Sequence, residues 1–148
     1  MLKDTLLVPG RRGAVIDDCV ALIDEQVAEK SGLTGLAIKG AFAVVKAIKP
    51  GFVREVVDHL LDTFVDKLEP FHAAALAKGA DVAEHFKQNQ GAIADALLSV
   101  TDAKAESARQ QGVRKAYDKL RPTAKKHVEA AVPGVGRIVA RHATTAAA

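Results

Sequence analysis

The chain has 148 residues, of which 49% are hydrophobic and 4% aromatic, and its formal net charge is +3. This length lets one domain enclose a core without metals or disulfides, so we expect a single domain over residues 1–148. The one cysteine, Cys19, excludes an internal disulfide and any multi-cysteine zinc or iron–sulfur site within one chain.

Glycine and proline divide the first part of the chain into helical stretches. Residues 2–8 predict a short helix that stops at Pro9-Gly10. An amphipathic helix follows from Arg11 or Arg12 to a stop at Gly32. Its apolar face consists of Val15, Ile16, Cys19, Val20, Leu22, Ile23 and Val27.

A third helix is predicted over residues 35–48, with Thr34 as its cap. Apolar side chains cover most of it, so we expect it to be largely buried, with a narrow solvent stripe. Pro50 fixes its own φ and disfavours helical geometry at Lys49, so the chain is expected to turn there.

Residues 49–68 give the clearest helical pattern and predict a central core helix. Apolar side chains recur there at three- and four-residue steps, on one face of a helix. They are Val53, Val56, Val57, Leu60, Leu61, Phe64 and Leu68. Pro70 predicts that this helix ends or kinks near Glu69, with residues 71–78 continuing at another angle up to Gly79.

The remaining helices are predicted to be short. Asp81 and Glu84 resemble a capping pair for a helix over residues 82–86, and residues 88–91 predict a turn. A helix over residues 92–100 is followed by a restart signal at Thr101-Asp102. Residues 103–120 are expected to be mostly helical, with Gly112 dividing them.

Two further prolines predict the last boundaries. A helix should begin at Pro122 and run to Ala131, and Pro133-Gly134 should end it. The final helix is expected to end near His142, with residues 143–148 as a frayed tail. The whole pattern predicts an all-α, single-domain, irregular or orthogonal bundle of six to eight helices.

Several stretches resemble an uncharacterised family of small bacterial helical proteins from actinobacteria and proteobacteria, and the likeness covers most of the chain. The stretches are Leu6-Leu7 with Pro9-Gly10-Arg11-Arg12, Lys49-Pro50-Gly51-Phe52-Val53, Leu68-Glu69-Pro70, Asp95-Ala96-Leu97-Leu98 with Thr101-Asp102-Ala103, and Tyr117-Asp118-Lys119-Leu120-Arg121 with Ala124-Lys125-Lys126. The resemblance implies a bacterial single-domain helical protein and supplies no catalytic residues.

Three sets of residues are candidates for metal, thiol or haem chemistry, and each has a structural alternative. Glu55, His59 and Asp62 could face one cation, but a di-iron site needs partner carboxylates that the sequence does not show, so a solvated acidic stripe is favoured. Cys19 lies on an apolar face beside carboxylates, which favours a packed residue over a reactive thiol. His72 and His85 could converge, but no haem pocket can be assigned to them.

Charge is distributed unevenly along the chain. Residues up to Ala103 include 11 Lys and Arg against 15 Asp and Glu, whereas residues from Lys104 onward include 10 against 3. The basic final third could contact an anionic membrane surface or bind nucleic acid without sequence preference, although Tyr117 is its only stacking aromatic. The candidate residues are Arg109, Arg114, Lys115, Lys119, Arg121, Lys125, Lys126, Arg137 and Arg141.

These patterns favour a non-enzymatic protein-interaction or regulatory module, with self-association through an Ala/Val-rich helix face. Nucleic-acid binding and carriage of a small apolar ligand remain alternatives. The phenylalanines expected around such a ligand are Phe42, Phe52, Phe64, Phe71 and Phe86. No nucleophile–base pair can be proposed, so we predict no enzyme, no cofactor and no metal.

The sequence also bears on location. The N-terminus lacks the apolar run and cleavage site of a secretory signal, which predicts a cytoplasmic protein. The longest apolar run, residues 41–48, is interrupted by Lys46 and is too short to span a bilayer.

Overall fold

The structure is a computed structural model that describes the backbone of residues 1–146 and their side chains, apart from those of Thr34 and residues 144–146. This part of the chain contains seven helices and no strand, which confirms the predicted all-α class and helix number. The helices are α1 (Leu2–Leu6), α2 (Pro9–Glu29), α3 (Gly32–Ile48), α4 (Phe52–Ala77), α5 (Val82–Gln88), α6 (Gln90–Glu106) and α7 (Gln111–Ala146).

Two long helices, α4 and α7, organise the fold. Each packs against α1, α2, α3, α5 and α6, but within the described residues no Cα of α4 comes within 8 Å of a Cα of α7. The predicted central helix therefore shares its role with α7. The fully buried core includes Leu2, Leu6, Val15, Val65, Phe86, Ile93, Val132 and Val139.

Helices α4 and α7 continue through three prolines, of which Pro70 was predicted to end or kink α4 and Pro122 and Pro133 to separate shorter helices. Pro70 lies inside α4, and Pro122 and Pro133 lie inside α7. An interior proline costs about 3 kcal/mol because it removes one hydrogen bond and crowds the preceding turn. The helices persist because buried side chains lie on both sides of each proline, so packing outweighs the local preference.

Other predicted boundaries were also wrong. Helix α3 begins at Gly32 with Ser31 as its N-cap, so Thr34 lies inside its first turn. The restart at Thr101-Asp102 is absent because α6 continues to Glu106, and the division near Gly112 falls at residues 107–110 instead. Helix α7 extends beyond His142 to Ala146, while residues 147 and 148 of the predicted tail lie outside the described part.

Two local predictions are confirmed. The Asp81 carboxylate accepts a hydrogen bond from the Glu84 amide at 3.0 Å and caps α5. The chain turns between α3 and α4, where the Phe52 amide donates to the Lys49 carbonyl at 3.1 Å. Gly51 has a φ of +77° in this turn, the left-handed geometry that glycine adopts without strain.

Helix α3 departs most from expectation, because its outer face is exposed and apolar. Leu33 is 88% and Leu36 69% exposed, and Val44 is also exposed, whereas the Ile48 side chain lies against Gly112 of α7. The helix packs against α2, α4 and α7, and Ile38 is buried against them. Helix α3 is therefore apolar on both its inner and outer faces. Even so, no helix in residues 1–146 combines the length and apolarity needed to cross a bilayer.

Candidate functional site

An apolar cavity of about 480 Å³ lies between α2, α3, α4, α6 and α7 and opens in part to solvent. Its accessible wall is entirely apolar. This volume is within the range of small-molecule binding sites in proteins. The cavity is therefore the leading candidate for a site.

Small side chains on the surrounding helices create this space. Helix α7 contributes Ala116, Ala124 and Ala131 to the wall, and α3 contributes Ala41. Such side chains stop short of the centre, and the backbones of α4 and α7 remain apart. The alanine-rich composition thus opens a volume that larger aliphatic side chains would fill.

The five phenylalanines predicted around an apolar ligand divide into two groups. Phe42, Phe52 and Phe64 line the cavity. Phe71 and Phe86 instead belong to the packed core, where Phe86 is fully buried. The sequence thus identified three of the aromatic wall residues, but it could not distinguish cavity from core.

A polar network closes the side of the cavity formed by α6 and α7. Asp102 accepts from Arg121 Nε at 2.8 Å and from Arg121 Nη2 at 3.1 Å, and it also accepts the Tyr117 hydroxyl. The Tyr117 hydroxyl lies 2.8 Å from Thr101 Oγ1. Hydrogen bonds from Arg121, and then from Tyr117, lower the pKa of Asp102. These polar groups are satisfied by one another and fix α6 to α7.

Tyr117 is the only tyrosine in the sequence, so its ionisation can be followed without interference. Burial, followed by its hydrogen bond to Asp102, raises the pKa of Tyr117 to about 12. We expect phenolate absorbance in the folded protein to appear with a midpoint near that pH. Asp102→Asn should lower the midpoint towards the ordinary value, and a wild-type midpoint of 10 would contradict the network.

A second set of polar side chains lies where the end of α2 packs beside α7. Lys30 Nζ donates to Gln26 Oε1 at 3.3 Å, and both residues line the cavity together with His127. The Nε2 atom of His127 is buried and has no hydrogen-bond partner in the described part of the chain. Burial, followed by the charges of Lys30 and Lys126, lowers the pKa of His127. Nothing in the sequence indicated this burial, which depends on how α2 and α7 pack together.

Cys19 lines the cavity and is partly buried against the core. Burial, followed by the charge of Asp18, raises the pKa of its thiol to about 11.

At pH 8 roughly one thiol in a thousand is then ionised, so we expect iodoacetamide to react about a hundredfold more slowly than with an ordinary thiol. Intact-mass measurement would follow the reaction, with urea-unfolded protein as control. Equal rates in the two states would contradict a packed Cys19.

The acidic side of α4 is occupied by ion pairs. Arg12 lies 2.5 Å from Asp62 and 3.1 Å from Asp58, and Lys49 lies 3.0 Å from Glu55. No group of three metal-ligating side chains occurs among the described residues. Among the carboxylates considered for a cation, Glu55 and Asp62 are thus paired with basic side chains.

The histidines considered for haem do not line the cavity. His85 is buried near the end of α5, and its Nε2 atom lies 3.5 Å from Asn89 Nδ2. His72 is half-buried on α4, where burial lowers its pKa. Neither residue is among those that line the apolar cavity.

The predicted basic residues are divided between ion pairs and solvent. The pairs are Arg121 with Asp102, Lys125 with Asp95, and Arg141 with Asp18. The exposed residues are Arg109, Arg114, Lys115, Lys119, Lys126 and Arg137. One side of α7 carries four of these residues, Lys115, Lys119, Lys126 and Arg137. They extend over roughly 33 Å, whereas a DNA duplex carries one phosphate per about 1.7 Å of its length, so they could contact only a small fraction of the phosphates along that distance. Nucleic-acid binding stays a prediction, and DNA affinity that is absent at low salt would remove it.

Comparison with protein-family models gives a match over most of the chain. A model described as a family of unknown function (DUF6918) matches residues 2–143. No curated protein and no solved structure matches the chain. The expected resemblance to an uncharacterised family is thereby confirmed, while its bacterial origin stays a prediction. Because the match covers nearly all of the sequence, the chain belongs to this family of unknown function.

Proposed function

We propose that this protein is a non-enzymatic binding protein that takes up a small apolar molecule in the cavity between α3, α4 and α7. The observation that carries the proposal is the cavity's volume of about 480 Å³ combined with a wholly apolar wall. A site of this kind gains affinity by removing hydrocarbon surface from water.

The volume is of the size that a small molecule needs. About 480 Å³ lies within the range of about 300 to 1,000 Å³ that small-molecule sites occupy. A single hydrocarbon chain or a small ring system fits this space.

The expected affinity follows from the area term. A ligand that buries about twelve methylene groups gains about 10 kcal/mol, at about 0.8 kcal/mol for each group. Association costs at least about 4 kcal/mol, which leaves about 6 kcal/mol and a Kd of tens of micromolar. Binding of this strength suits a reversible carrier or sensor.

Titration with the neutral probe N-phenyl-1-naphthylamine tests the proposal. Its fluorescence should rise and shift to the blue on binding, and it should saturate at one probe per chain. Signal that grows linearly without saturation, or no signal at all, would show that the cavity does not take up apolar molecules.

A second function is favoured by the exposed outer face of α3. Leu33, Leu36 and Val44 recur at helical spacing along one face, with the small residue Gly40 between them. A continuous apolar stripe with a small central residue suits close packing of two helices, and exposed apolar patches mark interfaces. We propose that a second copy of this chain covers this stripe.

Sedimentation equilibrium tests the self-association. Wild-type protein should approach the dimer mass as its concentration rises, whereas Leu36→Lys should remain monomeric. Lys39→Ala, on another side of the same helix, is the control and should associate like wild type. A wild-type protein that is monomeric at high concentration would overturn the second function.

A further inference from the structure

The exposed apolar residues of α3 form one continuous stripe along its outer face. Their three- and four-residue spacing places them on one side of the helix, over a length of roughly 21 Å. We call this set the α3 stripe, and its residues are Leu33, Leu36, Ala37, Gly40, Ala43, Val44 and Ala47.

Gly40 lies in the middle of the α3 stripe, and packing within the chain does not require a glycine there. A glycine in a helix interior is less favourable than an alanine. Among the described residues, no atom lies within 4 Å of the position that a Cβ of Gly40 would occupy. A glycine at an open position of this kind lets a second helix approach the backbone closely.

Side-chain size changes along the α3 stripe in a way that suits a second, reversed copy. Leu33 and Ala47 each lie seven residues from Gly40, and Leu36 and Val44 each lie four residues from it. In an antiparallel pair centred on Gly40, Leu33 meets Ala47 of the other copy, and Leu36 meets its Val44. Each contact then joins a larger side chain to a smaller one. A parallel pair would place Leu33 against Leu33 and Ala47 against Ala47, which leaves a gap at the alanine end and loses contacts there.

Charge favours the same orientation. Helix α3 carries Lys39 and Lys46 and no acidic residue. Lys46 is exposed on the side that faces α2, where its Nζ atom lies 3.9 Å from Asp24. An antiparallel pair brings this basic end of α3 to the end of α2 in the other copy, where Glu29 is exposed. It also sets the two helix dipoles in opposite directions, whereas a parallel pair would place both basic ends together.

We propose that two copies of this chain pack their α3 stripes antiparallel, about a two-fold axis that passes beside Gly40. This inference rests on the second proposed function, since the chain must first associate with itself through α3. Each copy uses its stripe once, so the contact is closed and association stops at the dimer. The opposite face of α3, with Ile38 and Phe42, continues to line the cavity inside each copy.

Single cysteines at the two ends of the α3 stripe test the orientation. Every sample carries Cys19→Ala, so that each copy has one thiol. Leu33→Cys and Ala47→Cys are treated with a short bismaleimide, each alone and as an equal mixture, at a concentration at which sedimentation shows a dimer. In the antiparallel pair, position 33 lies opposite position 47 of the other copy, but roughly 21 Å from the other position 33. Only the mixture should therefore cross-link, and intact mass identifies the mixed product.

Ala130→Cys, exposed on α7, is the control for chance collision. At micromolar protein the mixture should cross-link about a hundredfold faster than this control, because adjacent thiols have a millimolar effective concentration. Leu33→Cys alone and Ala47→Cys alone should react no faster than the control.

The remaining outcomes separate the two claims. Rapid cross-linking of Leu33→Cys with itself would show a parallel pair, and it would overturn the antiparallel arrangement while leaving self-association through α3 intact. A dimer in which no sample cross-links faster than Ala130→Cys would place the interface on another face. That result, or a wild-type protein that stays monomeric, would overturn both the arrangement and the second proposed function.

Discussion

Ala131→Trp should weaken binding of N-phenyl-1-naphthylamine at least about tenfold. Ala131 lies on α7 in the cavity wall, and an indole at this position would occupy space that the ligand needs. Losing several buried methylene contacts, at about 0.8 kcal/mol each, gives an effect of this size. The probe titration described above measures the loss directly.

The neighbouring alanine provides a matched control. Ala130 is exposed on the same helix and does not line the cavity, so Ala130→Trp should bind the probe like wild type. The natural sequence contains no tryptophan, so each variant carries a single indole reporter. Its emission should be blue-shifted at position 131 and typical of water at position 130. Unchanged probe affinity with a buried indole at position 131 would show that the ligand binds elsewhere.

Phe86→Ala should produce the largest loss of stability of any single substitution considered. Phe86 is fully buried on α5, in contact with the core. It also packs where α5 approaches α7 closely, since a Cβ added at Gly136 would lie 3.0 Å from Phe86 Cβ. Truncating a buried Phe to Ala typically costs about 3 to 5 kcal/mol. Urea unfolding followed by circular dichroism would measure it.

The same truncation at the cavity wall is the control for packing. Phe42 is half-buried and faces the cavity, so Phe42→Ala removes fewer contacts and should cost clearly less than Phe86→Ala. It should also weaken probe binding, which Phe86→Ala is not designed to do. Equal destabilisation by the two substitutions would mean that the cavity is packed as tightly as the core.

The sequence predicted the fold class because hydrophobic periodicity survives in every long helix. It failed where local preference and packing disagree. Pro70, Pro122 and Pro133 are helix breakers by intrinsic preference, yet each lies in a helix that buries side chains on both sides of it. Only the tertiary contacts decide such a case, and these are not visible in a single segment of sequence.

Helix α3 shows a second limit. Its residues are apolar over most of its surface, which predicts burial, but packing against α2, α4 and α7 leaves part of that surface uncovered. The Leu33 and Leu36 side chains therefore remain in solvent. Periodicity shows that a helix has an apolar face, but it does not show whether the surface that buries this face belongs to the same chain. In our second proposed function, that surface comes from another copy of the chain.

The candidate site was predictable only in part. Phe42, Phe52 and Phe64 were expected around an apolar ligand because they are the large apolar groups of amphipathic helices. The burial of the His127 Nε2 atom was not expected, because it arises only from the packing of α2 beside α7. A site assembled from alanines on separate helices leaves no compact motif in the sequence.

Methyl-resolved NMR during a titration with N-phenyl-1-naphthylamine tests the central claim most directly. The methyl groups of Ile38, Val53 and Val128 line the cavity, whereas Ile93 is buried outside it. We expect saturable shifts at the three cavity residues, with Ile93 unchanged. Shifts confined to Leu33 and Leu36 on the outer face of α3 would instead show that apolar molecules bind the protein surface.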